Sequence, residues 1–135
     1  MQRQEADVTD KRGDQTFQAS GNKEWWPEMT YGGALSFGRR RYSRDLADVD
    51  VVISGIPYDN AVTYRPGTRL GPRAIRAGSV QLTELKHFPT GIEPCEELSV
   101  IDYGDCMINP HDPTSVFETI EAHADHILAS GAKML

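Results

Sequence analysis

From position 49 onward the chain alternates two kinds of apolar pattern. Residues 49–56, VDVVISGI, form a β-branched run bounded by Gly55 and Pro57, which predicts a strand buried on both faces. A stiff loop rich in Arg, Gly and Pro follows. Residues 71–85, GPRAIRAGSVQLTEL, then read as a helix. Gly71 stands at its cap and Pro72 at its first position, where the missing N–H costs nothing. Ile75, Ser79 and Leu82 share one face at helical spacing. Residues 86–97 read as a loop, and 98–105, LSVIDYGD, as a second strand ending in a turn. The strongest helical signal spans 111–131, with Asp112 as cap, Pro113 at the start and Gly131 to end it in the left-handed conformation. Its apolar stripe is Val116, Phe117, Ile120, Ala124, Ile127 and Leu128. The final AKML opens a third strand.

This succession of strand, helix, strand, helix and strand is the alternation of an α/β chain with a parallel sheet covered by helices. Two or three parallel strands leave apolar faces and a bare edge, so the pattern is expected to open a larger α/β domain. Before position 49 the signal is weaker. Residues 1–24 mix charge with Gln, Thr, Gly and Ser around a single aromatic, Phe17, so 1–30 are expected to form a disordered or loosely packed arm and 31–135 the domain. Trp25 and Trp26 are costly to leave in water and are expected to fold back or to pack on another subunit. Residues 30–46 lack a clean period. Their Arg39, Arg40, Arg41 and Arg44 are read as a solvated or intersubunit ion-pair surface in preference to an anion site.

Composition narrows the class. The 135 residues carry a net charge of −6, with 25% charged and 39% hydrophobic positions, and the mean hydropathy is −0.49. An acidic chain lacks the basic face that nucleic acid requires. No apolar run approaches a membrane span, and the polar start lacks a signal peptide's apolar core, so no membrane partner and a cytoplasmic setting are expected. Cys95 and Cys106 stand apart without a second ligand at metal spacing, which predicts free thiols.

Ligands of open parallel sheets gather at the carboxyl ends of strands. Two segments fall there: residues 57–71 after the first strand and 102–113 after the second. In the first, Asp59, Asn60, Thr63, Tyr64, Arg65 and Arg69 can hydrogen-bond a polar ligand, and Pro66–Gly67 reads as a stiffening turn. Neither a Walker pattern nor a G-x-G-x-x-G links strand to helix, so no phosphate cradle is expected. Arg73 and Arg76 lie early in their helix, where positive charge opposes the dipole; a buried carboxylate is favoured over a bound anion as compensation. Asp102 and Asp105 can hold a turn, with Gly104 supplying a positive φ, or act as metal ligands or an acid–base pair; the turn is preferred. Glu121, His123 and Asp125 would converge on a metal in a strand. On a helix, steps of two point apart, and His123 falls on the apolar stripe as a packed or partly buried histidine.

The string GIPYDNAVTYRPGTRLGPRAIR, residues 55–76, followed by VIDYGD, 100–105, resembles the amino-terminal part of the ureohydrolases. This is the arginase and agmatinase superfamily, and the nearer likeness is to agmatinase and guanidinobutyrase-like members. The resemblance implies a three-layer α/β fold on a parallel sheet, usually assembled as trimers or hexamers. It also implies hydrolysis of a small guanidino substrate to urea and an amine by two manganese ions, which supply a hydroxide at neutral pH. The family's metal ligands lie in three later motifs, G-G-D-H, D-A-H-x-D and D-x-D. Neither of the first two occurs in this sequence, whose D-x-D at residues 48–50 lies at the start of the first strand's apolar run and not in a later motif. The chain is therefore expected to be the amino-terminal part of such an enzyme, to bind no manganese tightly alone and to be inactive alone. Asp59 to Arg69 would form part of the rim that receives the amine end of the substrate. Gly55, Pro57, Gly67, Gly71, Pro72, Arg73, Arg76, Asp102 and Asp105 are expected to be structural. A second reading is a non-catalytic oligomerisation or regulatory fragment that docks on full-length relatives.

Overall fold

Both β-branched runs are strands, and they lie side by side. The structure, a computed structural model, describes residues 16, 29–82 and 86–135. Trp25, Trp26, Phe17 and nearly all of the expected arm lie outside the described residues, as do the last three positions of the helix expected over 71–85. In chain order the elements are β1 (Arg41–Tyr42), β2 (Val51–Gly55), α1 (Gly71–Ser79), α2 (Pro94–Glu97), β3 (Val100–Asp105), α3 (Val116–Leu128) and β4 (Lys133–Met134). One-turn 3-10 segments precede β1 and flank α1 on both sides. All strand pairs are parallel, in the order β1-β3-β2-β4.

Alternation along the strands sorts their side chains onto two faces. Val52, Ile101 and Tyr103 point to one face and close a core with Ile127 of α3, Val49 and Ala132. Burying a side chain such as Ile127, which is fully enclosed, stabilises the fold by about 1.5–3 kcal/mol. On the opposite face Asp102 meets Arg76 of α1. The sheet is therefore covered by α3 on one side and α1 on the other.

Several boundaries differ from expectation for identifiable reasons. Helix α1 begins at Gly71, with Leu70 at its cap and Pro72 inside the first turn. Its buried residues are Arg76 and Ser79, whereas Ile75 and Leu82 are exposed. Asp112 does not cap α3, because its carboxylate accepts from the N–H and hydroxyl of Thr114 in a turn, and the helix starts only at Val116. Phe117 and Leu128 are exposed, which narrows the stripe to Val116 and Ile127 with the half-buried Ile120 and Ala124. The end of α3 follows the sequence: Gly131 has φ +89°, and its N–H donates to the Leu128 carbonyl at 3.0 Å. Among the described residues no helix is long and apolar enough to cross a membrane.

Candidate functional site

The connection from β2 crosses to β3 on one side, and the connection from β3 returns to β4 on the other. The carboxyl ends of β2 and β3 thus flank a switch point, the place where an open parallel sheet leaves a crevice. Residues 56–70 rise from β2 there, and residues 106–115 from β3.

The loop after β2 is closed by one carboxylate. Asp59 is buried while its neighbours from Asn60 to Leu70 are exposed. It accepts the Gly67 N–H at 2.7 Å and the Arg69 N–H at 3.3 Å, and it pairs with the Arg69 guanidinium. Burial opposes the charged carboxyl. The hydrogen bonds from Gly67 and Arg69, with the Arg69 charge, outweigh it and hold the Asp59 pKa below the usual carboxylate range. Gly67, at φ +135°, takes a conformation open to few other residues. The tip carries Tyr64, 75% exposed, with the Arg65 guanidinium 5.1 Å from its ring centroid. Arg65 itself has φ +53°, a strained value for a non-glycine residue. The structure therefore divides the six expected rim residues. Asn60, Thr63, Tyr64 and Arg65 are displayed to solvent, whereas Asp59 and Arg69 bind each other.

Beneath this loop lies a polar clamp. Between Ile53 and Ser54 of β2 the register with β3 shifts: Ile53 pairs with Asp102, but Ser54 pairs with Gly104. The additional residue is Tyr103, and Gly104 accommodates the bulge at φ +84°. A regular strand would send Asp102 and Asp105 to opposite faces, being three residues apart; the bulge sends both to the α1 side. Arg76 joins them, with Nε–Oδ2 of Asp102 at 2.7 Å, Nη2–Oδ1 of Asp102 at 2.9 Å and Nη1–Oδ1 of Asp105 at 2.6 Å. Hydrogen bonding to Asp102 and then to Asp105 raises the Arg76 pKa above its ordinary value, against burial. Asp102 also accepts the N–H of Phe37 at 2.7 Å and of Gly104 at 2.9 Å. It ties the segment before β1, β3 and α1 into one unit. A Cβ on Gly55 would strike the Asp105 carboxylate and lie 2.6 Å from Cβ of Pro72, so that glycine permits the close approach of α1. Arg73 is exposed and has no ion pair among the described residues; Arg76 alone of the two has the expected carboxylate partners.

Other polar groups pack around the clamp and on the α3 side of the sheet. Arg39 and Arg40 are buried, at 3% and 2% exposure, which corrects the solvated reading for these two, whereas Arg41 is half-buried and Arg44 exposed. The Arg39 guanidinium donates to the carbonyls of Met29, Gly32 and Ala34, and Arg40 Nε donates to the Gly38 carbonyl at 2.8 Å. Arg44 lies 4.4 Å over the Tyr103 ring and donates to the Asp105 carbonyl at 3.2 Å. On the α3 side Ser54 Oγ donates to the Gly104 carbonyl at 3.1 Å and lies 2.7 Å from His123 Nε2. His123 also meets Tyr103 edge-on, with ring centroids 5.6 Å apart. It is half-buried and helical, so it packs against the sheet and does not converge with Glu121 and Asp125. Cys95 and Cys106 are free, and burial pushes the Cys106 thiol up despite the Arg44 charge.

Among the described residues, no three His, Cys, Asp or Glu side chains gather where they could hold a metal ion. The acidic side chains nearest the crevice are joined to Arg69 and Arg76. These residues do not fit a metal centre.

A family model described as "Arginase family" matches residues 49–135. An agmatinase of Chromobacterium violaceum is 60% identical over 108 residues, which are 80% of this chain and 34% of that protein. An agmatinase of Neisseria meningitidis serogroup C is 45% identical over 87 residues, 64% of this chain and 28% of that one. The chain thus spans about a third of the length of these curated relatives. Among solved structures, a hypothetical agmatinase from Burkholderia thailandensis aligns with 92% of this chain and 39% of its own, at TM-score 0.81 and 51% identity. A proclavaminate amidino hydrolase from Streptomyces clavuligerus aligns over 76% and 34%, at TM-score 0.68 and 30% identity.

Proposed function

Since this chain belongs to the arginase family, we propose that it forms the amino-terminal part of an agmatinase-like ureohydrolase, an amidinohydrolase that acts on the C–N bonds of linear amidines. The enzyme would convert a small guanidino compound to urea and an amine. The observation that carries this reading is the 60% identity to an agmatinase over 80% of the chain, joined to the placement of the matching loop at the sheet's switch point. In this reading Asn60, Thr63, Tyr64 and Arg65 form part of the rim facing the amine end of the substrate. The Arg76–Asp102–Asp105 clamp holds the floor from which that rim rises. Two manganese ions would supply the hydroxide nucleophile, on ligands from the family's later motifs, of which G-G-D-H and D-A-H-x-D do not occur in this sequence. The side chains of this chain bind and orient. Assembly into trimers or hexamers and a role in polyamine metabolism belong to the same reading, and the cytoplasmic setting rests on the polar start of the chain and its lack of long apolar runs.

A hybrid enzyme tests the reading. Residues 49–135 replace the matching segment of the Chromobacterium violaceum agmatinase, and urea release from agmatine, arginine and guanidinobutyrate is measured with manganese. The hybrid is expected to release urea, and the 135-residue chain alone to release none above blank. A folded hybrid inactive on all three compounds would overturn the functional assignment. Urea from the isolated chain would overturn the division of labour.

A further inference from the structure

We infer that Asp59 is a positioning residue, and that its role is to hold the loop over residues 59–69 in a binding-ready shape without touching the substrate. The inference rests on the ureohydrolase reading of the loop. A residue on this exposed connection would serve a ligand directly only with free acceptor capacity directed outward. The Asp59 side chain is instead fully enclosed, and its oxygens face inward to Gly67 N–H, Arg69 N–H and the Arg69 guanidinium. These contacts span eight and ten residues along the chain, so a single carboxylate closes the entire loop. The segment they close contains two unusual backbone positions, Arg65 at φ +53° and Gly67 at φ +135°, and the second of these donates its N–H to Asp59. Arg65 keeps that conformation only if its surroundings impose it. The geometry that places the Arg65 guanidinium beside the Tyr64 ring therefore depends on the closure at Asp59. Removing the closure leaves the tip able to bind only after ordering, and that cost falls on substrate binding.

The test uses the active hybrid, with Asp59→Ala, Asp59→Asn and Arg69→Ala. Asp59→Ala is expected to raise KM roughly tenfold for the preferred substrate while kcat stays within about twofold, because a lost preorganisation weakens binding and leaves the reacting atoms in place. Asp59→Asn keeps an oxygen for the two N–H donors and is expected to recover most of that loss. Arg69→Ala leaves both backbone bonds intact and is expected to cost less than Asp59→Ala. Amide hydrogen exchange of the 135-residue chain provides a readout independent of activity. The Gly67 and Arg69 amides should lose protection in Asp59→Ala and keep most of it in Asp59→Asn. An unchanged KM in Asp59→Ala, or a fall in kcat alone, would overturn the positioning role, as would unchanged protection. If the unsubstituted hybrid is inactive, the ureohydrolase reading fails, while exchange still decides whether Asp59 closes the loop. Should Asp59→Ala not fold, the Asn and Arg69 variants carry the same comparison.

Discussion

Arg76 shows how one side chain can decide the docking of a helix. Its partner Asp102 is fully buried and receives two hydrogen bonds from the guanidinium together with the N–H groups of Phe37 and Gly104. Arg76→Met is expected to destabilise the fold by about 3–5 kcal/mol, because it strands a buried charge instead of merely deleting a contact. Urea unfolding would measure the change. The double variant Arg76→Met/Asp102→Asn should recover part of the loss, giving a coupling of roughly 1–3 kcal/mol. Simple additivity of the two substitutions would show that the pair does not act as a unit. Gly55 belongs to the same arrangement, since a β-carbon there meets both the Asp105 carboxylate and Pro72.

At the scale of elements, His123 makes the packing of α3 sensitive to pH. Desolvation first, then the charges of Arg44 and His126, lower its pKa from the ordinary value of 6.5. Among the described residues the groups that face it are Ser54 on β2, Tyr103 on β3, Arg44 beyond β1 and His126 on its own helix; none of these is a carboxylate. The unfolded chain therefore binds the proton more readily than the folded one. The stability held by neutral His123 is fully present above about pH 6.5 and is lost as pH falls through the lower folded value. Thermal unfolding between pH 5 and 8 should show His123→Gln, which retains an N–H donor, with a shallower acid decline than the unsubstituted chain. Identical slopes would assign the decline to other groups.

The same elements show what the chain's pattern reveals and what it hides. Strands β2 and β3, the end of α3 at Gly131 and the start of β4 were legible because β-branched runs and left-handed glycines are local signals. The inward face of α1 was legible only in part. Ser79 and a carboxylate partner for Arg76 were expected, but Ile75 and Leu82, expected beside Ser79, are exposed, because β3 presents Asp102 there and a polar layer leaves no hydrophobic trace. The bulge at Gly104 was equally hidden, since a shift of register depends on two strands while periodicity describes one. In the loop, the positions able to hydrogen-bond were identifiable by residue type, but Asp59 and Arg69 paired across ten residues. Only the folded loop separates its closing groups from those it displays.

For the molecule as a whole, helices cover both faces of a four-stranded parallel sheet, and the edge at the carboxyl ends of its strands holds carboxylates already joined to arginines. An aspartate joined to a guanidinium must give up that partner to bind a metal ion, and Asp102 would do so while buried, so neither Asp102 nor Asp105 is a ready ligand. The G-G-D-H and D-A-H-x-D motifs do not occur in the sequence, and its D-x-D, residues 48–50, stands ahead of β2, away from the carboxyl ends of the strands. A titration of the isolated chain with manganese(II) should therefore leave its melting temperature unchanged. Ligand at a hundred times its dissociation constant stabilises a fold by about 2.7 kcal/mol, a shift readily seen in a domain of this size. A saturable rise in melting temperature would show that this part of the fold assembles a metal site unaided. An unchanged midpoint, together with an active hybrid, would place the metal chemistry on the remainder of the enzyme and leave this chain the rim and its support.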